Sequence, residues 1–383
     1  MDSGRKMRNI AYVVGGLWRH HPGLHSKVLG AARIWEANGA QVKVVLYSEG
    51  RVIDCLGNTV SSLPAARAKK LEAYYDIKLS KIRRLAALRY QYTFLKEVLA
   101  DLSPDIVYTR YALPFPGIHR FFGAVCPYVI EINSDDLVEY GLKNSWTGRF
   151  NRFFRKGFMR NAAGLCFISR EMATSPSFNW YRGKTDVIAN SIDCDDYPFA
   201  GSTANDQVNL CFIGSPGQCW HGLDKINLLS SYYPQWTFHI IGPGRDEYCA
   251  SGIQPGPNIV FHGYLSGQAS KDLLRSMDVG VSTLALHRKS MNEASPLKSR
   301  QYLAQGIPFI SAYDDTDIAA KDFVYQLPNT ESNVSDSLAA LGDFVIRVFR
   351  DEQLRLAARA FAETQLDSRI IERKRLEFIL SCL

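Results

Sequence analysis

Long apolar runs are missing from this chain. No stretch of eighteen apolar residues occurs among its 383, which excludes a membrane-spanning helix of ordinary length. The opening Met1-Asp2-Ser3-Gly4-Arg5-Lys6 lacks the apolar core of a secretory signal, so a cytoplasmic location is the expectation. The eight cysteines, Cys55, Cys126, Cys166, Cys194, Cys211, Cys219, Cys249 and Cys382, include no Cys-x-x-Cys pair. That excludes the usual zinc and disulfide frameworks and leaves buried thiols as the plain reading. The full Gly-x-Gly-x-x-Gly dinucleotide fingerprint is absent, as are internal repeats, low-complexity tracts and a Pro-rich linker.

What is there describes a globular protein with room for two domains. Hydrophobic residues make up 46% and charged residues 22%, ordinary values for a soluble chain. Charge is divided unevenly. Residues 1–190 hold 28 lysines and arginines against 15 acidic residues, a balance of +13, and the remainder holds 17 against 23, a balance of −6. An acidic second half argues against a nucleic-acid groove through the whole protein. A basic first half suits an anionic membrane surface or an anionic lipid-linked acceptor.

Along the first half, short apolar runs alternate with helical patterns, the signature of βαβ units. Residues 9–14 form a buried strand that ends at Gly15-Gly16. A loop follows through Trp18, Arg19, His20, His21, Pro22 and Gly23, then a helix with Val28, Ala31, Ala32, Trp35 and Ala37 inside, then a strand at 42–46. Residues 66–102 are mostly helical, with an apolar stripe from Ile82 to Leu102 flanked by Lys78, Lys81, Arg83, Arg84 and Arg89. Strands at 105–110 and 128–132 run into Arg110 and into Asn133-Ser134-Asp135-Asp136. In parallel α/β sheets ligands bind beyond such strand ends, so Asn133, Asp135 and Asp136 are candidates for acceptor binding or proton handling. Local capping of the next helix is the competing reading. Trp146, Phe150, Phe153, Phe154 and Phe158 share a helical face, with Arg149, Arg152, Arg155, Lys156 and Arg160 around it. Two readings stand for that face: a membrane interface, or core aromatics with a solvated basic edge.

In the second half, strands running into glycine turns are expected over 209–214 and 236–244, the segments 258–264 and 277–283 follow, and 309–311 resumes as a strand. The stretch Asn292-Glu293-Ala294-Ser295-Pro296-Leu297-Lys298 leads into a helix. Pro296 suits its first turn, Leu297, Gln301 and Ala304 lie along one face, and Gly306 ends it. A helix N-terminus gathers free N–H groups and a positive dipole end, and with Lys298 it forms a phosphate site. Glu293, just before it, is placed to accept hydrogen bonds from hydroxyls. Gly214-Ser215 and Trp220-His221-Gly222 bracket another turn that opens a helix. Residues 333–383 are helical.

The ordered set across 209–310 resembles the donor half of family 4 glycosyltransferases, which usually carry Glu, seven residues, Glu, then Ala-x-x-Gly-x-Pro. Glu293 matches the first position, and Gln301 stands at the second. Asn258-Ile259-Val260-Phe261-His262-Gly263-Tyr264 is similar to the family's Asn-Val-x-Phe-x-Gly. Asp186-Val187-Ile188-Ala189-Asn190-Ser191-Ile192-Asp193 is similar to its domain-joining strand. Ser215 and His221 stand where the family usually has Arg and Lys.

The resemblance implies an α/β fold of two facing Rossmann-like domains with parallel sheets (GT-B): an acceptor-binding domain over 1–190 and a nucleotide-sugar domain over 191–383. The last helix in this fold often crosses back onto the first domain. It implies a retaining transferase that uses a nucleotide-diphosphate sugar and needs no metal, acting on a glycan or lipid-linked acceptor at the inner face of a membrane. Lys298 and His221 would neutralise the departing diphosphate and Glu293 would orient the donor sugar. Gln301 would hold the ribose, and Gly263 and Tyr264 would flank the base. Gly16, Gly23, Gly214, Ser215, Gly242, Ser295, Pro296 and Leu297 would complete the donor site. Arg110, Asn133 and Asp136 would meet the acceptor, with Asp135 beside the reacting sugar. A sugar-nucleotide epimerase of similar fold and a catalytically weak nucleotide-sugar-binding relative are the alternatives.

Overall fold

The structure, a computed structural model, describes residues 7–18, 22–75, 81–113, 118–143, 145–250, 252–265 and 267–383. Arg19, His20, His21 and Lys78, and the side chains of Lys81, Ile82, Arg84, Leu85 and Trp146, lie outside that set. The chain divides into two compact units, Met1–Ile188 with Ile371–Leu383, and Ala189–Ile370.

The first unit is built on eight strands: β1 (Arg8–Val14), β2 (Ala40–Leu46), β3 (Arg51–Ile53), β4 (Thr59–Ser62), β5 (Ile106–Arg110), β6 (Tyr128–Ile132), β7 (Gly164–Phe167) and β8 (Lys184–Val187). They lie in the order β4-β3-β2-β1-β5-β6-β7-β8. The pairs from β2 to β8 are parallel, and all five residues of β6 are buried, as a sheet covered on both faces requires. The sheet is parallel apart from its edge, where β3 pairs antiparallel with β2 and β4 with β3. A tight turn permits this: the Asp54 carboxylate accepts from the Leu56 and Asn58 N–H groups at 2.9 Å each, so no crossover helix is needed.

The first helix spans Pro22–Ala37, beginning earlier than its apolar pattern because proline is suited to the opening turn. Trp35 is fully buried and stacks on Tyr12 at 5.2 Å. The mostly helical stretch expected over 66–102 carries the helices Ala65–Glu72 and Lys81–Leu102, with a 3-10 turn at Ala73–Tyr75. The last helix, Ser368–Ser381, supplies Ile371, Leu376, Phe378 and Ile379 to the same core as Tyr12 and Trp35.

The second unit carries β9 (Asn209–Ile213), β10 (Thr237–Ile241), β11 (Ile259–Gly263), β12 (Val279–Val281), β13 (Glu293–Ala294), β14 (Phe309–Ser311), β15 (Asp314–Asp315) and β16 (Val324–Gln326). Six of them form a sheet in the order β11-β10-β9-β12-β14-β16, parallel throughout. In chain order this is 3-2-1-4-5-6, the doubly wound arrangement, whose switch point falls between β9 and β12.

Candidate functional site

The carboxyl ends of β9, β10 and β11 are stitched together. The Gly214 N–H donates to the Ile241 carbonyl at 3.0 Å, and the Gly242 N–H to the Gly263 carbonyl at 2.8 Å. Gly242 has φ +111, and a β-carbon there would lie 1.8 Å from the Gly214 carbonyl oxygen. Only glycine permits that approach of two backbones. A β-carbon on Gly214 would meet the Phe212 ring at 2.5 Å and His221 Cε1 at 2.8 Å, so this glycine also lets His221 lie against the strand end.

His221 sits in a short 3-10 turn, Cys219–His221, capped by Gly222 at φ +74. It is 8% exposed, its ring is edge-on to Phe212 at 5.2 Å, and its Nδ1 has no hydrogen-bond partner. Burial, then the nearby Lys298 charge, hold its pKa well below the ordinary imidazole value. A hydrogen bond with the Ser215 backbone opposes this, and Lys289 adds to it. The ring is therefore neutral at pH 7.

Lys298 lies in the first turn of the Leu297–Ala304 helix. It too is 8% exposed. Its Nζ is 4.0 Å from the Phe212 ring centroid and has no hydrogen-bond partner. Burial lowers its pKa to about 7. Buried polar groups are almost always hydrogen-bonded, so two unpartnered nitrogens at one ring, beside a switch point, describe a place for an anion.

The helix that carries Lys298 is held on several sides. Pro296 is its N-cap rather than its first residue. Gly306 at φ +76 closes it: the Gly306 N–H donates to the Leu303 carbonyl at 2.9 Å and the Ile307 N–H to that of Tyr302 at 2.8 Å, a Schellman ending. Leu297 and Gln301 are half-buried, whereas Lys298, Ser299, Arg300, Tyr302, Leu303 and Ala304 are buried. Arg300 grips Asp315 at 2.5 and 2.7 Å and donates to the Asn190 carbonyl at 3.1 Å. Ser299 meets the Tyr313 hydroxyl at 2.6 Å. Tyr302 donates to the Cys211 and Val281 carbonyls, both at 3.1 Å.

The other donor-site expectations fall as follows. Ser295 accepts from the Asn190 N–H at 2.8 Å, so its hydroxyl is engaged in holding the start of this unit. Gln301 donates to the Tyr197 hydroxyl at 2.9 Å. Glu293 is half-buried in β13, which pairs with β15. Ser215 and Tyr264 are exposed, Tyr264 by 66%, and Gly263 ends β11 at φ +63. The structure thus brings His221, Lys298, Gly214 and the Ser215 backbone together around Phe212.

Sequence reasoning missed Lys289 and Trp220. The Lys289 ammonium lies 4.6 Å from the Trp220 ring centroid. Its loop is fixed by Arg288, which grips Asp224 at 2.8 and 2.7 Å and Glu331 at 3.0 Å. Nothing in the local pattern marks Lys289, because its partners are distant in sequence.

In the first unit the expected residues divide. Gly16 at φ +94 donates its N–H to Ser48 at 3.1 Å, and Gly23 is exposed within the Pro22–Ala37 helix rather than in a loop. Asp135 caps the Asp136–Lys143 helix: it accepts from the Leu137 N–H at 3.0 Å and from the Ser177 hydroxyl at 2.5 Å. Asp136 is 2% exposed, bound by Arg155 through two 2.7 Å contacts and by Asn151 at 2.5 Å. Both carboxylates thus have structural partners, and the capping reading of this loop is the one the geometry favours. Asn133 is half-buried, 3.4 Å from the Glu131 carbonyl.

Arg110 lies 3.5 Å from Glu131, a carboxylate absent from the sequence-level candidates. Glu131 is fully buried, taking Lys27 at 2.6 Å and the Tyr108 hydroxyl at 2.6 Å. Burial alone would raise its pKa, but Lys27, Arg375 and Arg110 override that and hold it below the ordinary carboxylate range. Burial lowers Lys27 to about 8 against the pull of Glu131. Among the described residues no group of three or more His, Cys, Asp or Glu side chains could hold a metal ion, and no helix is long and apolar enough to cross a membrane.

Comparison with known proteins places this geometry. Residues 23–190 match the family described as Glycosyl transferase 4-like domain. No curated protein matches the chain. Among solved structures, sucrose-phosphate synthase from Thermosynechococcus elongatus is similar at 12% identity and TM-score 0.71, covering 98% of each chain. HepE of Anabaena, solved in complex with UDP-glucose, is similar at 14% identity and TM-score 0.60, covering 98% of this chain and 100% of that one. The lipopolysaccharide outer core galactosyltransferase WaaB is similar at 14% identity and TM-score 0.57, with the same coverage. The two Rossmann-like units are those of the GT-B fold.

Proposed function

We propose that this glycosyltransferase, of the family 4 kind, moves a sugar from a nucleoside-diphosphate donor to a glycan or lipid-linked acceptor with retention at the anomeric carbon. The observation that carries the donor reading is the unpartnered pair at Phe212, Lys298 Nζ and His221 Nδ1. A diphosphate satisfies both: its charge restores a full positive charge to Lys298, and a His221 ring that carries its proton on Nδ1 donates one hydrogen bond to it. As the bond from the sugar to the leaving phosphate breaks, negative charge grows on that oxygen. A preformed cation in a dry site stabilises it more than water can. Lys289, held by Trp220 and Arg288, supplies a second cation. The donor's own departing phosphate oxygen takes the acceptor proton, so this reading needs no protein base, consistent with Asp135 being committed to a helix cap.

Glu293 orients the donor hydroxyls, and Gln301, fixed at one end by Tyr197, meets the ribose through its other end. Gly263 and Tyr264 flank the base. The phosphate-neutralising role falls to side chains, so metal chelation leaves turnover unchanged under this reading. HepE is described in complex with UDP-glucose, which makes UDP-sugars the first donors to try. The test incubates the protein with UDP-, GDP- and ADP-sugars, with and without lipid-linked acceptor. Nucleotide released only with acceptor supports transfer. An isomerised donor points instead to an epimerase, and binding without turnover to a binding protein.

A further inference from the structure

We propose that the Ser145–Arg160 helix is a docking face for an anionic lipid bilayer. This goes beyond the transfer reaction and stands whether or not the donor reading holds. The helix has two unlike sides. One is locked into the first unit: Asn151, Arg155, Phe158 and Met159 are buried. There Arg155 is neutralised by Asp136, Asn151 accepts from the Tyr111 hydroxyl at 2.6 Å, and Phe158 stacks on Tyr128 at 5.6 Å.

The other side shows Arg149, Arg152, Phe153, Lys156 and Arg160, all exposed. At about 100° per residue these five fall within an arc of about 100°. Phe153, 79% exposed, stands at one edge of that arc, touching Phe154 at 4.8 Å between ring centroids. Residues 145–160 contain no acidic residue. The two carboxylates on the adjoining helix are occupied, Asp136 by Arg155 and Glu139 by the Ser134 hydroxyl.

A bare phenyl ring bordering a stripe of four exposed cations matches one partner better than others. A second copy of this face would repel it. A polyanion would use the charges and have no use for the ring. An anionic bilayer uses both: headgroups meet the cations, and the ring enters the acyl boundary.

The experiment sediments the full chain with phosphatidylcholine vesicles and with vesicles containing about 30% phosphatidylglycerol. The proposal expects binding to the anionic vesicles and little to the neutral ones. Phe153→Ser keeps every charge and is expected to lower partitioning about tenfold. Arg152→Gln with Lys156→Gln keeps the ring and is expected to lower it tenfold or more. Both variants keep the parent's thermal melt and nucleotide binding, because none of these side chains is buried in the core or part of the donor site. No sedimentation of the parent with anionic vesicles overturns the proposal. So does a Phe153→Ser variant that binds them as the parent does while retaining the charge effect, since that result describes a polyanion surface read by charge alone.

Discussion

Lys298 is the residue on which the proposed chemistry turns, and its burial weakens the fold it sits in. Its pKa is lowered by burial to about 7, against about 10.4 in an unfolded chain. Between those values the unfolded protein binds more protons than the folded one, so stability rises as pH climbs from 7 toward 10. Lys298→Met keeps the length of the side chain and removes the charge. We expect it to melt a few degrees higher than the parent at pH 7, with the gap closing by pH 10, while nucleotide binding falls. Parallel thermal melts across that range check it; a variant less stable than the parent at pH 7 would show that the ammonium has a stabilising partner. Lys298 was legible in the sequence because it opens a helix after a proline. Lys289 and Glu131 were not. Each depends on partners brought from elsewhere in the chain, Trp220 for one and Lys27, 104 residues away, for the other.

At the scale of elements, crowding decides how the loops at the strand ends pack. Gly242 and Gly217 both have positive φ, +111 and +69. A β-carbon on Gly242 strikes the Gly214 carbonyl, whereas one on Gly217 meets nothing within 4 Å. Gly217→Ala therefore costs about 1 kcal/mol for its backbone conformation alone. Gly242→Ala costs upwards of about 2 kcal/mol, and it moves Gly214 away from His221. Denaturant melts and nucleotide titrations of the two variants separate strain from crowding; equal costs would show that the loop ends are not packed as described. The strands were readable as apolar runs punctuated by glycine, and the Leu297–Ala304 helix by its proline and Gly306. Its buried face was not, because the helix buries Lys298, Ser299 and Arg300, polar residues whose partners Phe212, Tyr313 and Asp315 lie outside it. The β3–β4 hairpin escaped for the opposite reason: β4 is exposed at all four residues and carries no alternating apolar pattern.

At the scale of the molecule, the first unit is completed by the end of the chain. Trp35 donates to the Glu372 carbonyl at 3.1 Å, and Arg375 reaches the Ile188 carbonyl at 3.3 Å. Ile371, Leu376, Phe378 and Ile379 fill its core. A chain ended at residue 370 is expected to lose the cooperative melt of the first unit and keep that of Ala189–Ile370. Limited proteolysis followed by mass mapping distinguishes the two units, and a fully resistant first unit would contradict the packing. The Rossmann-like build of the second unit was implied by the family resemblance, and its strand order 3-2-1-4-5-6 follows the right-handed crossovers such units use. The return of the last helix was suggested by family likeness alone, because an amphipathic tail does not declare which core it joins.

The most direct measurement is calorimetric titration of UDP into the full chain at pH 8, in two buffers of different ionisation enthalpy, for the parent and for Lys298→Met. The account predicts binding with net proton uptake in the parent, as diphosphate restores the charge on Lys298. It predicts no such uptake and at least about tenfold weaker binding in the variant. Equal affinity for the two proteins, with no proton linkage in the parent, would contradict it.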